Sequence, residues 1–235
     1  YHYNSGGEPD HITDLSYDNL VAFYKSHYHP SNSVLMTFGD IPAASHQQNF
    51  EELALSHFER LDTDIKVCDE KRYLSPVRAE EFYAATNNEK NETHIVLGWL
   101  LKKSTNLDDL FKAQLLTSVL LDNSASPLLK ILEASDLGSS PSPMCGLEDS
   151  SKEMSFMVGL EGCSSEATLK VESLILDGLE KIAEEGVPKE QVEGALHQLE
   201  LAQREISGDS YPYGLQLILY GLSTALHRGD PISLM

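Results

Sequence analysis

The sequence predicts an α+β fold, an antiparallel or mixed sheet with helices packed on one face. Strand-like and amphipathic segments follow one another as strand, helix, two strands, two helices, two strands and three helices. The strands are joined mostly as hairpins, which argues against a doubly wound parallel sheet. The composition is that of a folded chain, with 41% apolar and 23% charged residues in 235, enough for a sizeable core.

A glycine turn at Ser5-Gly6-Gly7 precedes the first helix, which Ser16 caps and Pro30 stops, with Leu20, Phe23, Tyr24 and His27 at helical spacing. Val34 to Phe38 reads as a strand ending at Gly39-Asp40. Pro42 opens a longer helix through Phe50, Leu53, Ala54, His57 and Leu61. Residues 62–77 are charged, carry Pro76 and mark an internal seam. Two strands follow, Glu80 to Ala85 and Thr93 to Leu100, around a solvated tip; the second is apolar on both faces, as a central strand is.

A helix from Leu107 to Leu121 leads to a second that starts at Ser126-Pro127 and is ended by Gly138. Two strands then flank a polar turn at Glu148 to Lys152, and Met154, Phe156, Val158 and Leu160 alternate as in a half-buried strand. Three helices finish the chain: Ala167 to Glu185 closed by Gly186, Pro188 to about Ser207, and Tyr213 to Leu226. The last is apolar nearly all round and is expected to be covered by other elements.

With 17 Lys and Arg against 37 Asp and Glu, the formal charge is -20. Phosphate backbones and anionic lipid surfaces are repelled, so neither nucleic acid nor membrane is expected as a partner. Cys68, Cys145 and Cys163 form no CxxC pair, and an odd thiol fits a reducing compartment. Cys145 and Cys163 are expected in facing strands, where packing thiols are favoured over a disulfide. No apolar run reaches the ~18 residues that span a bilayer, so a soluble protein is expected.

Catalytic signatures are missing from the sequence. There is no Gly-x-Ser-x-Gly elbow and no H-x-x-E-H. His197-Gln-Leu-Glu200 puts a His and a Glu on one helix face but has Leu201 where a second His ligand would stand. His2, His11, His27 and His29 crowd the N-terminal end without a completing Cys or carboxylate pair, and structural packing or helix C-terminal charge complementation is the favoured role. Ser5-Gly6-Gly7 lacks the Lys and preceding strand of a phosphate loop. Ser140-Pro-Ser-Pro-Met-Cys-Gly-Leu147 reads as an edge strand, because its prolines would break a central ladder.

Several separated motifs carry a family resemblance. Ser5-Gly6-Gly7-x-Pro9, Ile12-x-x-Leu15, Phe23-x-x-x-His27-Tyr28-His29-Pro30-Ser31-Asn32 and a strand ending in Gly39-Asp40 occur in that order. Ser126 to Gly138, Val158 to Gly162, Glu184-Glu185-Gly186 and Gly229-Asp230-Pro231 extend it along nearly the whole chain. The sequence resembles zinc metallopeptidases of the pitrilysin/insulinase type, above all their presequence-protease branch.

The resemblance implies the fold of the pitrilysin and processing-peptidase domains, in a parent enzyme whose two halves enclose a chamber for short unstructured peptides. It implies that residues 1–33 are the tail of a zinc-carrying domain and residues 34–235 its non-catalytic neighbour. The helix at Leu110 to Asp122 stands where the zinc motif would lie and has neither His nor Glu. No catalytic or metal-ligating residue is therefore expected here, the parent's zinc being held elsewhere. The chain alone is expected to be inactive.

By the same resemblance Pro143, Met144, Cys145, Gly146 and Leu147 form a strand that anchors one end of a substrate peptide, and Ser5, Gly6 and Gly7 line the chamber. Expected partners are unstructured peptide and the parent's remaining domains. The expected compartment is cytoplasm in a bacterium, or the matrix of a mitochondrion or plastid. An inert structural or assembly subunit of the same fold is the alternative.

Overall fold

The computed structural model describes residues 6–61, 65, 67–84, 91–206 and 211–234. Seven α-helices and four strands are defined among them: α1 (Tyr17–His27), α2 (Ala43–Leu53), β1 (Thr93–Lys103), α3 (Leu107–Leu121), α4 (Pro127–Glu133), β2 (Ser140–Pro141), β3 (Gly146–Glu148), β4 (Glu153–Cys163), α5 (Thr168–Glu185), α6 (Lys189–Arg204) and α7 (Tyr213–Leu226). The strands form one antiparallel sheet. β4 lies in its middle, with β1 on one side and the short β2 and β3 on the other.

The alternation in β4 does what its sequence demands. Met154, Phe156, Val158 and Leu160 are buried, and the last three face the helices with Ile95, Leu97 and Trp99 of β1 opposite Leu160, Val158 and Phe156. Leu120 of α3, Leu128 and Leu132 of α4, and Val171 and Ile175 of α5 complete that core. At about 25 cal/mol per Å² of apolar area removed from water, this single layer is the main stabilising term. The α+β class is as the sequence reads.

Helix ends follow the local chemistry. The Ser16 hydroxyl accepts from the Asn19 backbone N–H at 3.1 Å, and Asn106 does the same for Asp109 at 3.2 Å. Pro127 takes the first turn of α4, and Gly186 closes α5 at φ 74°. Gly138 does not end α4, which stops at Glu133. Its role is close approach, since a Cβ there would lie 2.7 Å from the Glu161 carbonyl oxygen and 3.0 Å from the Cys163 sulfur.

Four further expectations need correction. Val34 to Phe38 is not a strand: it has no ladder partner among the described residues, and Phe38 lies against Gly214 of α7 instead. α2 ends at Leu53 and gives way to a short 3-10 turn that includes His57. Glu80 to Ala84 makes no ladder with any described residue, and Ala85 lies outside the described residues. β1 is an edge strand rather than a central one, because no described strand pairs with its outer side. Leu219, Tyr220 and Leu226 of α7, expected under other elements, are half-exposed or more among the described residues.

Residues 69–72, within the stretch read as a seam, are tied to the sheet. Asp69 bridges Lys152 at 2.7 Å and Lys103 at 3.0 Å. The Glu70 N–H donates to the buried Glu153 carboxylate at 2.5 Å, and Arg72 reaches the same carboxylate at 2.6 Å. A buried carboxylate is costly unless paired and hydrogen-bonded, so this end of the sheet holds the connector in place.

Candidate functional site

The border formed by β2 and β3 is the site to which the sequence points. β2 pairs Ser140 with Glu161 and Pro141 with Leu160 of β4. β3 pairs Gly146 with Met157, Leu147 with Phe156 and Glu148 with Ser155. The four residues between, 142–145, face only Val158 and Gly159, so the edge is bulged by two residues. Pro141 and Pro143 explain the break: neither has an N–H for the ladder, and both sit where that loss is tolerable.

The bulge is a closed turn. The Ser142 N–H donates to the Gly159 carbonyl at 2.9 Å, the Cys145 N–H donates to the Ser142 carbonyl at 3.0 Å, and the Met144 N–H donates to the Ser142 hydroxyl at 3.2 Å. The Cys145 sulfur accepts from the Gly159 N–H at 3.2 Å and lies 3.4 Å from its carbonyl oxygen. Burial pushes this thiol up from its ordinary value, against the hydrogen bonds from Gly159 and Ser142. Cys163, wholly covered in the core, is raised by burial alone. All three cysteines are free.

Of the five residues read as an anchoring strand, only Gly146 and Leu147 lie in one. Pro143 and Met144 belong to the turn, and Cys145 links turn to strand. Leu147, opposite Phe156, lies on the side of the core, whereas Gly146 and Glu148 stand on the opposite face of the sheet. Gly146 takes φ 137°, which side chains rarely adopt. Glu148 accepts from the Ser150 N–H at 2.9 Å, closing the polar turn into β4. Sequence reasoning missed Ser142, which is 3% exposed and organises the bulge; a serine between two prolines was its only signal.

The other candidates come apart. Gly6 and Gly7 are exposed in a turn, and Ser5 lies outside the described residues. His197 is exposed on α6, contrary to the partly buried residue that the helix pattern suggests, and Glu200 pairs with Arg204 at 2.7 Å. His11 meets Asp14 at 3.1 Å, His27 stacks on Phe23, and His29 accepts from the Ser31 N–H at 3.1 Å against the edge of Phe58. His2 lies outside the described residues. Among the described residues no three His, Cys, Asp or Glu side chains come together as metal ligands. α3 buries Ala113, Val119 and Leu120 and presents no ligand set.

Comparison with known proteins agrees with the geometry. Residues 14–199 match the family model of the peptidase M16 inactive domain. The chain belongs to this family. It is 34% identical to "Presequence protease, mitochondrial" of Xenopus tropicalis, over 98% of its own length and 22% of the relative's. It is also 34% identical to "Presequence protease 1, chloroplastic/mitochondrial" of Arabidopsis thaliana, and 32% identical to the mitochondrial presequence protease of Mus musculus, over the same shares. The chain thus spans about a fifth of the length of these curated relatives. No described helix is long and apolar enough to cross a membrane.

Proposed function

We propose that this chain serves as the non-catalytic domain of a zinc metalloendopeptidase that degrades short unstructured peptides. It forms part of the chamber wall and anchors a peptide along β3. In this reading residues 1–33 close a preceding zinc-carrying domain, and that domain, not this one, supplies metal and water activation. The compartment follows the relatives, whose names place them in mitochondria or chloroplasts.

The observation that carries the reading is the border itself. β3 is paired with β4 on one side and has no described strand on the other. A strand in that position presents alternate main-chain N–H and C=O groups to an incoming extended peptide, which can add itself with little regard for side chains. Such recognition suits an enzyme for many sequences. The Pro141-Ser142-Pro143 bulge keeps this acceptor short, which limits pairing with other folded chains.

The test is binding of an extended ten-residue peptide, unmodified or N-methylated at alternate amides. Methylation removes a donor, so one parity should weaken binding at least tenfold and the other should change it little. Equal affinity for both methylated peptides, or no binding of the unmodified one, would overturn the anchoring role and leave the inert assembly reading.

A further inference from the structure

The C-terminal end of α3 carries the wrong charge for its place. The last carbonyls of a helix concentrate negative potential, and cations are favoured beside them. α3 has no basic residue in its last turn and is capped by Asp122. The Asp122 carboxylate accepts from the Ser118 hydroxyl at 3.3 Å, and among the described residues no cation pairs with it. Exposed acids on the same and other helices are treated differently: Asp108 meets Lys112, Glu193 meets Lys189 and Glu200 meets Arg204, each four residues away. A local rule broken without compensation in the fold marks a functional place.

Asp122 lines a cleft of about 180 Å³ between the end of α3, the turn into α4, and α6. Among the described residues it is the only charged one in that lining. Across from it, Gln191, Gly194 and Gln198 follow one another at helical spacing on α6. The Gln191 amide nitrogen donates to the Ala125 carbonyl at 3.5 Å, which leaves the amide oxygen as an acceptor. The Gln198 amide has no described partner. On the buried side Ser126, 5% exposed, accepts from the Asn123 N–H at 3.3 Å and keeps a lone pair for a further donor. Gly194 leaves the cleft open, since a Cβ there would meet nothing within 4 Å.

We propose that this cleft binds an alkylammonium group, the chemistry shared by a lysine side chain on a peptide and a free primary amine. A compact ammonium has three donors to share among oxygens of separate residues, whereas a planar guanidinium needs a matching fork. Its charge offsets both Asp122 and the carbonyls at the end of α3. Val119 and Ala195, also in the lining, suit the methylene stem. The formal charge of -20 draws such cations to the surface. The site uses no residue of β2 or β3 and stands whether or not β3 anchors a peptide.

Titration of the full ¹⁵N-labelled chain with Nα-acetyl-lysine amide tests the site, read at the Gly194 N–H and at the side-chain amides of Gln191 and Gln198. Saturable shifts at these groups are expected. Nα-acetyl-norleucine amide keeps the stem but lacks the ammonium, and should cause none at the same concentrations. Asp122→Asn should weaken binding about tenfold with the melting temperature equal or higher, because the repulsion at the helix end is relieved. Gly194→Leu, which fills the cleft, should abolish binding in a folded chain. n-Butylamine identifies the source: affinity equal to that of the lysine derivative assigns the cleft to free amines, and much weaker affinity assigns it to lysine on a peptide. No saturable shift with either amine, equal shifts with the norleucine derivative, or unchanged affinity in Asp122→Asn would overturn the proposal.

Discussion

Gly159 shows how much a single residue can decide. It faces Val96 in the β1–β4 ladder, and a Cβ there would run into the Ile95 carbonyl and stand 2.8 Å from the Val96 Cα. These are backbone atoms of a paired strand and cannot step aside cheaply. Its N–H meets the Cys145 sulfur and its carbonyl accepts from Ser142, so it also fixes the bulge at the border. Gly159→Ala is expected to destabilise the domain by about 2–4 kcal/mol, read as a lower midpoint in urea unfolding. Gly194→Ala, in open space on α6, should be neutral or slightly stabilising in the same assay.

At the scale of elements, the connector is attached through charge. Hydrogen bonds from Lys152 and then Lys103 hold the Asp69 carboxyl below its ordinary value of 3.8. A lowered folded-state value means that the attachment is complete above about pH 4 and is lost as the pH falls through the lower value. Glu153 and Arg72 face the same end of the sheet and add a second, half-buried pair. Protection of the amides of residues 69–72, taken relative to their intrinsic exchange rates at each pH, should therefore fall as the pH drops below about 4, and Asp69→Asn should show the lower protection already at pH 6. Exchange in β4 should not follow, because its strand is paired along both edges and packed on the core.

For the molecule as a whole, the described residues bring no metal-ligand cluster to the border proposed to hold peptide. The thiol at the border is held protonated by burial, the described histidines are engaged in packing, stacking or local hydrogen bonds, or exposed, and no described cluster offers three metal ligands. Added Zn²⁺ should leave the melting temperature within about 1 °C, since a ligand that does not bind the native state cannot stabilise it. It should also leave an unstructured fluorogenic peptide uncut. Cleavage abolished by a chelator would place a reactive centre in this chain.

The sequence by itself determined the fold class, the helices α1 and α3–α7, the long strands β1 and β4, and the family, because period, caps and ordered motifs are local properties. Ser16, Asn106, Pro127 and Gly186 each announce a helix boundary through chemistry that needs no distant partner. Tertiary structure alone decided which extended segments acquire a ladder. Val34 to Phe38 and Glu80 to Ala84 have strand character, yet a strand exists only when another backbone takes up its hydrogen bonds. It also decided that β1 is an edge among the described residues, that Gly138 serves close packing rather than a helix end, and that the segment read as an anchoring strand breaks into a turn and a short strand. Those outcomes depend on residues far apart in the chain, such as Ser142 with Gly159 and Arg72 with Glu153, whose meeting no local pattern encodes.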